Sequence, residues 1–142
     1  MRVTVAGIAM FSLASLAYQA QAGIDPAKPT VLITGANRGI GLEYTREIAE
    51  RGWNVIATAR DPAAAKELAA IAAKHPQMSL EKLDVTDQAS VDALAARYKG
   101  QPIDILLLNA AVTPKYPSAF RPLAGMDIEV ARQSFEVNAL GP

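Results

Sequence analysis

Cysteine is missing from the 142 residues, histidine occurs once, and the formal net charge is zero. Without cysteine there are no disulfides, no thiolate metal sites and no cysteine nucleophile. A single His75 cannot build a histidine metal cluster, and its position before Pro76 predicts a solvated side chain between a helix and a strand. No metal is expected. Fourteen basic side chains balance fourteen acidic ones, with no basic run and no interleaved aromatics. That balance argues against nucleic acid as a partner, because duplex binding rests on neutralising many phosphates. What remains, 51% hydrophobic and 20% charged, is the profile of one globular domain.

Charge is also absent from one long stretch. Arg2 precedes an uncharged, mostly apolar run from Val3 to Tyr18, which leads into Gln19-Ala20-Gln21-Ala22-Gly23. A positive start, an apolar centre and a small-x-small site predict a secretory signal peptide over residues 1–22, cleaved after Ala22. The run is short for a membrane span of about 20 residues. The expected destination is the periplasm or the exterior. An uncleaved anchor would hold the protein at a membrane, and a misassigned start would leave it cytoplasmic. Residues 23–29 read as a connector, and residues 30–142 as the folded unit.

From Thr30 onward two periods alternate. Val31–Thr34 is a short apolar run ended by glycine, hence a buried strand. Ile40, Tyr44 and Ile48 recur at helical spacing, and Gly52 closes that helix. Trp53–Ala59 is a strand, and alanine-rich Ala63–Lys74 is a helix with Leu68, Ile71 and Ala72 on one stripe. Ser79–Val85 is a third strand. The helix Asp87–Lys99 carries Val91, Leu94, Ala95 and Tyr98 on one face, with Asp87 or Thr86 as its cap. Ile103–Leu108, "IDILLL", reads as a fourth strand, apolar on both faces apart from Asp104 near its start, as a central parallel strand is. A loop with Pro114, Pro117 and Pro122 follows, and a last helix starts near Asp127 with Ile128, Ala131 and Phe135 on one side. Strand and helix in alternation predict a parallel sheet covered on both faces.

The first strand runs into Thr34-Gly35-Ala36-Asn37-Arg38-Gly39-Ile40-Gly41, a turn that opens a helix. Unpaired N–H groups and the helix dipole favour an anion at such a place. Gly35 makes the sharp turn, Gly39 admits phosphate oxygens to the backbone, and Gly41 lets helix and strand pack closely. The spacing is G-x-x-x-G-x-G, which differs from the dinucleotide fingerprint G-x-G-x-x-G.

These residues resemble the TGxxxGxG signature of the short-chain dehydrogenase/reductase family. "LDV" at Leu83-Asp84-Val85, "NAA" at Asn109-Ala110-Ala111 and "VNALGP" at Val137–Pro142 follow in that family's order. The tone of the chain is closest to the carbonyl-reductase and C-factor branches. The resemblance implies a Rossmann-type doubly wound parallel sheet, an α/β fold that stops here after its fourth strand and the start of the next helix. It implies a cofactor site made of Gly35, Asn37, Arg38, Gly39, Ile40, Gly41, Arg60, Asp84, Val85, Asn109 and Ala110. Asp84 would accept from the adenine amino group beside the Val85 backbone; the competing reading is a helix cap one turn early. Asn109 would stabilise the centre of the sheet. The usual NNAG is altered to Leu108 and Ala111, whose methyl would be strained if the backbone there needed an unusual φ.

Cofactor choice depends on the end of the second strand, where an NAD site places an acid for the ribose hydroxyls. Here Ala59 holds that position and Arg60 follows, with Arg38 nearby in the glycine turn. Two guanidiniums suit a 2′-phosphate through charge-assisted bonds, which predicts NADP(H).

The family reaction moves a hydride between nicotinamide and a carbonyl or alcohol substrate, using tyrosine, a lysine four residues on, serine and asparagine. Only the asparagine has a counterpart, Asn138, which in the family positions a water and the lysine. Tyr18, Tyr44, Tyr98 and Tyr116 have no lysine four places later. The expectation is therefore the N-terminal part of a longer enzyme, a homo-oligomer when complete, inactive as this piece. The alternative is a non-catalytic nucleotide-binding module. Ending after Ile103–Leu108 would leave that strand as an exposed apolar edge.

Overall fold

The computed structural model describes residues 24–113, 122, 125 and 127–142. The predicted signal segment lies outside them, as do Pro114 and Pro117 of the loop. Four strands, β1 (Thr30–Ile33), β2 (Asn54–Ala59), β3 (Met78–Lys82) and β4 (Ile105–Leu107), form one parallel sheet ordered β3-β2-β1-β4. The helices are α1 (Gly39–Glu50), α2 (Lys66–Ala72), α3 (Gln88–Arg97) and α4 (Ile128–Phe135). This is the expected Rossmann-type α/β arrangement, with β1 in the middle of the sheet.

Alternation along the central strands divides the core. Val31, Ile33, Val55 and Ala57 face α1 and α2, joining Leu42, Ala49, Leu68 and Ile71. Leu32 and Ile56 face the other way and meet Leu83, Leu94 and Tyr98 from the α3 side. Every residue of β1 and β2 is buried, the polar Thr30, Asn54 and Thr58 included, as strands covered on both faces of a parallel sheet are.

Several expected details shift. The inward stripe of α1 is Gly41, Leu42, Thr45 and Ala49; Ile40 and Tyr44 are 69% and 46% exposed. Small residues let the helix sit close to the sheet, so the bulkier set is displaced outward. Ala63–Lys74 is not one helix: a 3-10 turn at Pro62–Ala64 precedes α2, and Ala65 between them has non-helical dihedrals. β3 ends at Lys82 because an aspartate turn at Asp84–Thr86 redirects the chain. Asp87, not Asp84 or Thr86, caps α3 by accepting from Ala89 N. Ala95 faces solvent rather than the core.

β4 is shorter than Ile103–Leu108 and forms the edge of the sheet among the described residues. Ile105, Leu106 and Leu108 are 43%, 57% and 51% exposed, so the burial expected of a central strand is missing here. Ile128 and Phe135 of α4 are exposed too.

The predicted connector is partly built into the body. Asn54, fully buried at the start of β2, accepts from Asp25 N and donates to the Asp25 and Lys28 carbonyls at 2.9 and 3.0 Å. Ile24 packs against the α3-side core. Asp104 adds a 2.7 Å acceptor for Thr30 N, which ties the start of β1 to the approach of β4.

Candidate functional site

The carboxyl ends of β1, β2, β3 and β4 open onto one cleft of about 1100 Å³. Strand ends of a parallel sheet are where such folds hold ligands, because the adjoining loops diverge there. Gly35, Asn37, Arg38, Gly39, Ile40, Arg60, Asp84, Val85, Asn109 and Ala110 all line this cleft. Gly41 and Asn138 do not. Asp61, Thr86, Thr113, Gln133 and Glu136 also line it and had no motif to mark them.

The glycine turn is held from behind. Gly35 takes φ +66°, and a Cβ there would lie 2.8 Å from Ala110 Cα. Asn109 Nδ2 donates to the Thr34 and Gly35 carbonyl oxygens at 3.1 and 3.2 Å. Thr34 Oγ1 accepts from Asn109 N and Ala110 N at 2.9 and 3.0 Å. The ends of β1 and β4 are thus locked by side chains that satisfy each other's backbone. Behind the turn, a Cβ on Gly41 would meet Gly35 O and Asn109 Nδ2, so only glycine fits. Ala111 has no such difficulty, since no described residue other than glycine has a positive φ.

The front of the turn is open. Gly39 has φ +57°, and a Cβ built on it would meet nothing within 4 Å. Arg38 precedes α1 in an extended conformation; no side chain caps the helix and no acid lies in its first turn. Free N–H groups and the positive end of α1 therefore face the cleft.

At the far side, Ala59 ends β2 almost fully buried, and Arg60 follows it, exposed. Asp84 Oδ1 accepts from Thr86 N and Thr86 Oγ1 at 3.0 and 2.7 Å. These two bonds hold the Asp84 carboxyl below its ordinary range, against a small opposing effect of burial, with Arg60 and Lys82 adding to the lowering.

Asn138 sits in a π-helical turn, Glu136–Leu140, that continues α4. Its Oδ1 accepts from Val112 N at 2.8 Å and its Nδ2 donates to Val112 O at 2.9 Å. The pair ties the loop after β4 to the helix, and close approach at Gly141, where a Cβ would lie 2.8 Å from Val85 Cγ2, secures the other end. Tyr98, by contrast, is 5% exposed and bonded to Ser79 and Glu81, with its hydroxyl pushed up to about 12, mainly by burial. It is a core residue outside the cleft.

The sequence profile of the short chain dehydrogenase family matches residues 29–142. An uncharacterized oxidoreductase of Schizosaccharomyces pombe is 36% identical over 115 residues, covering 78% of this chain and 43% of the relative. Galactitol 2-dehydrogenase of Agrobacterium fabrum is 39% identical over 113 residues, covering 78% and 41%. The solved structure of a carbonyl reductase from Pseudomonas aeruginosa in complex with NADP superposes with a TM-score of 0.73 at 30% identity, covering 80% and 51%. The chain therefore spans about half the length, or less, of the proteins it matches. Signature turn, parallel sheet and profile agree, and the chain belongs to the short chain dehydrogenase family.

Proposed function

We propose that the described unit is the cofactor-binding part of an NADP(H)-dependent oxidoreductase. The whole protein would exchange a hydride with a small carbonyl or alcohol substrate. The observation that carries the cofactor choice is the rim at the end of β2: Ala59 supplies no acid, while Arg60 and Arg38 line the same cleft. An NADP-bound relative of like fold supports the choice. The residues fit the cofactor, because Gly39 leaves open space before uncapped N–H groups where a pyrophosphate needs both.

In this reading the turn from Gly35 to Gly41 binds the pyrophosphate through its backbone, with Asn37 and Ile40 contributing main-chain contacts. Arg38 and Arg60 clamp the 2′-phosphate. Asp84, kept ionised, accepts from the adenine amino group, and Val85 offers backbone beside it. Asn109 and Ala110 border the nicotinamide ribose, and Asn138 keeps its family role of positioning water, with its side chain braced on Val112. When bound, the nicotinamide supplies or accepts the hydride. Export by a leader over residues 1–22 and assembly as a homo-oligomer belong to the same proposal.

Titration of the full-length protein with NADPH and NADH, followed by nicotinamide fluorescence, tests the reading. NADPH should bind at least about tenfold more tightly, a difference the 2′-phosphate contacts can supply. Arg60→Asp should erase or reverse the preference. Equal affinity for both cofactors in the unaltered protein would overturn it. Tight binding with no turnover over a panel of ketones would favour the alternative, a nucleotide-binding module.

A further inference from the structure

The rim assigned to the 2′-phosphate contains two acids as well as two arginines. Asp61 follows Arg60 directly, Asp84 is close enough to feel its charge, and all four side chains line the cleft. A free carboxylate beside the adenosine ribose would repel a 2′-phosphate and serve instead as acceptor for ribose hydroxyls, the arrangement of an NAD site. Formal charge alone therefore does not make this rim a phosphate site.

Each acid commits one carboxylate oxygen to its own chain, which fixes the direction in which the group points. Asp84 Oδ1 is held by the two donors of Thr86. Asp61 Oδ1 accepts from Ala63 N at 3.1 Å and Ala64 N at 3.3 Å, across the 3-10 turn that Pro62 begins. Arg60 has no such backbone partner among the described residues, and Ala59 before it is buried. The only acid adjacent to Arg60 in sequence is thus folded back onto the turn that follows.

We propose that this cap makes Asp61 a positioning residue for cofactor choice, an inference that rests on the NADP(H) reading. Bound to Ala63 and Ala64, the Asp61 carboxylate leaves Arg60 to meet the 2′-phosphate and denies NADH an acidic partner. The side-chain length matters: aspartate and asparagine are good acceptors for N–H groups two and three residues on, whereas glutamate is not among the preferred caps.

The test compares the unaltered full-length protein with Asp61→Asn and Asp61→Glu. Dissociation constants are measured for NADPH and NADH, and for 2′,5′-ADP and 5′-AMP, with a thermal melt on each protein. Asp61→Asn keeps the acceptor and should keep the NADPH preference within about threefold. Asp61→Glu loses the cap and frees a charge, so the preference should fall at least about tenfold. Its 2′,5′-ADP affinity should drop while 5′-AMP affinity holds. An intact preference in Asp61→Glu would overturn the inference, as would an equal loss in both variants. Absence of NADPH preference before any substitution would instead overturn the cofactor reading itself.

Discussion

Gly41 and Asn109 meet at one point: a Cβ on the glycine would lie 2.5 Å from the asparagine Nδ2. Helix α1 can start against the ends of β1 and β4 only because that Cβ is missing. The same Asn109 nitrogen donates to the carbonyls of Thr34 and Gly35, so it cannot swing away without breaking both bonds.

Gly41→Ala should therefore distort the turn rather than displace a flexible side chain. The expected loss is about 1–3 kcal/mol of stability, the usual cost of overpacking a closed site. NADPH binding should weaken with it. A thermal melt and a cofactor titration check both, and an unchanged pair of values would contradict the packing described.

Tyr98→Phe removes a hydroxyl that bonds Ser79 at 2.8 Å and Glu81 at 2.7 Å. Glu81 is buried, and its one charged partner among the described residues, Arg97 at 3.2 Å, is nearly half exposed. Loss of the hydroxyl should cost about 1–3 kcal/mol, because a buried carboxylate forfeits its donor. Cofactor affinity should not change, since Tyr98 lies outside the cleft.

The hydroxyl also carries a pH signature. Burial, aided by Glu81 and opposed by Ser79, raises Tyr98 from 10.0 to about 12. The folded state thus keeps a proton that the unfolded chain releases first. Stability from this group is complete below 10.0 and is lost as pH climbs toward about 12. Denaturation followed against pH in Tyr98→Phe should lack that alkaline contribution.

Thr86→Val keeps shape and deletes one of the two donors to Asp84. The Asp84 carboxyl should then move back up toward its ordinary value of 3.8, read by carboxylate NMR titration. The sign follows from a lowered folded value: the stabilisation exists above 3.8 and disappears as pH falls through the folded titration. In Thr86→Val that acid loss should be smaller.

Local pattern revealed much of the fold. Apolar runs too short for helices, glycine at strand exits and alanine-rich stripes located all four strands and the helices between them. Motif order carried the cofactor region, and ten of the residues it singled out share one cleft. Boundaries were harder, because Ala65 and Asp84 break regular structure by dihedral angle and side-chain turn rather than by composition. The buried stripe of α1 differs from the hydrophobic pattern for a related reason. Hydrophobicity favours Ile40 and Tyr44, whereas close packing on the sheet selects Gly41, Thr45 and Ala49.

Residue chemistry along the chain is enough to specify a parallel α/β sheet and an anion-ready turn, since both depend on period and on glycine's freedom at particular places. It cannot say where a side chain's oxygen goes once the chain has turned. The Asp61-Pro62 pair, an acid before proline, marks a local turn in the sequence itself, and Asp61 does cap it. Tertiary structure decides that Asn109 braces the glycine turn and that Asn138 grips Val112. Each outcome turns on a hydrogen bond between groups far apart in sequence, whose separation only the folded backbone sets.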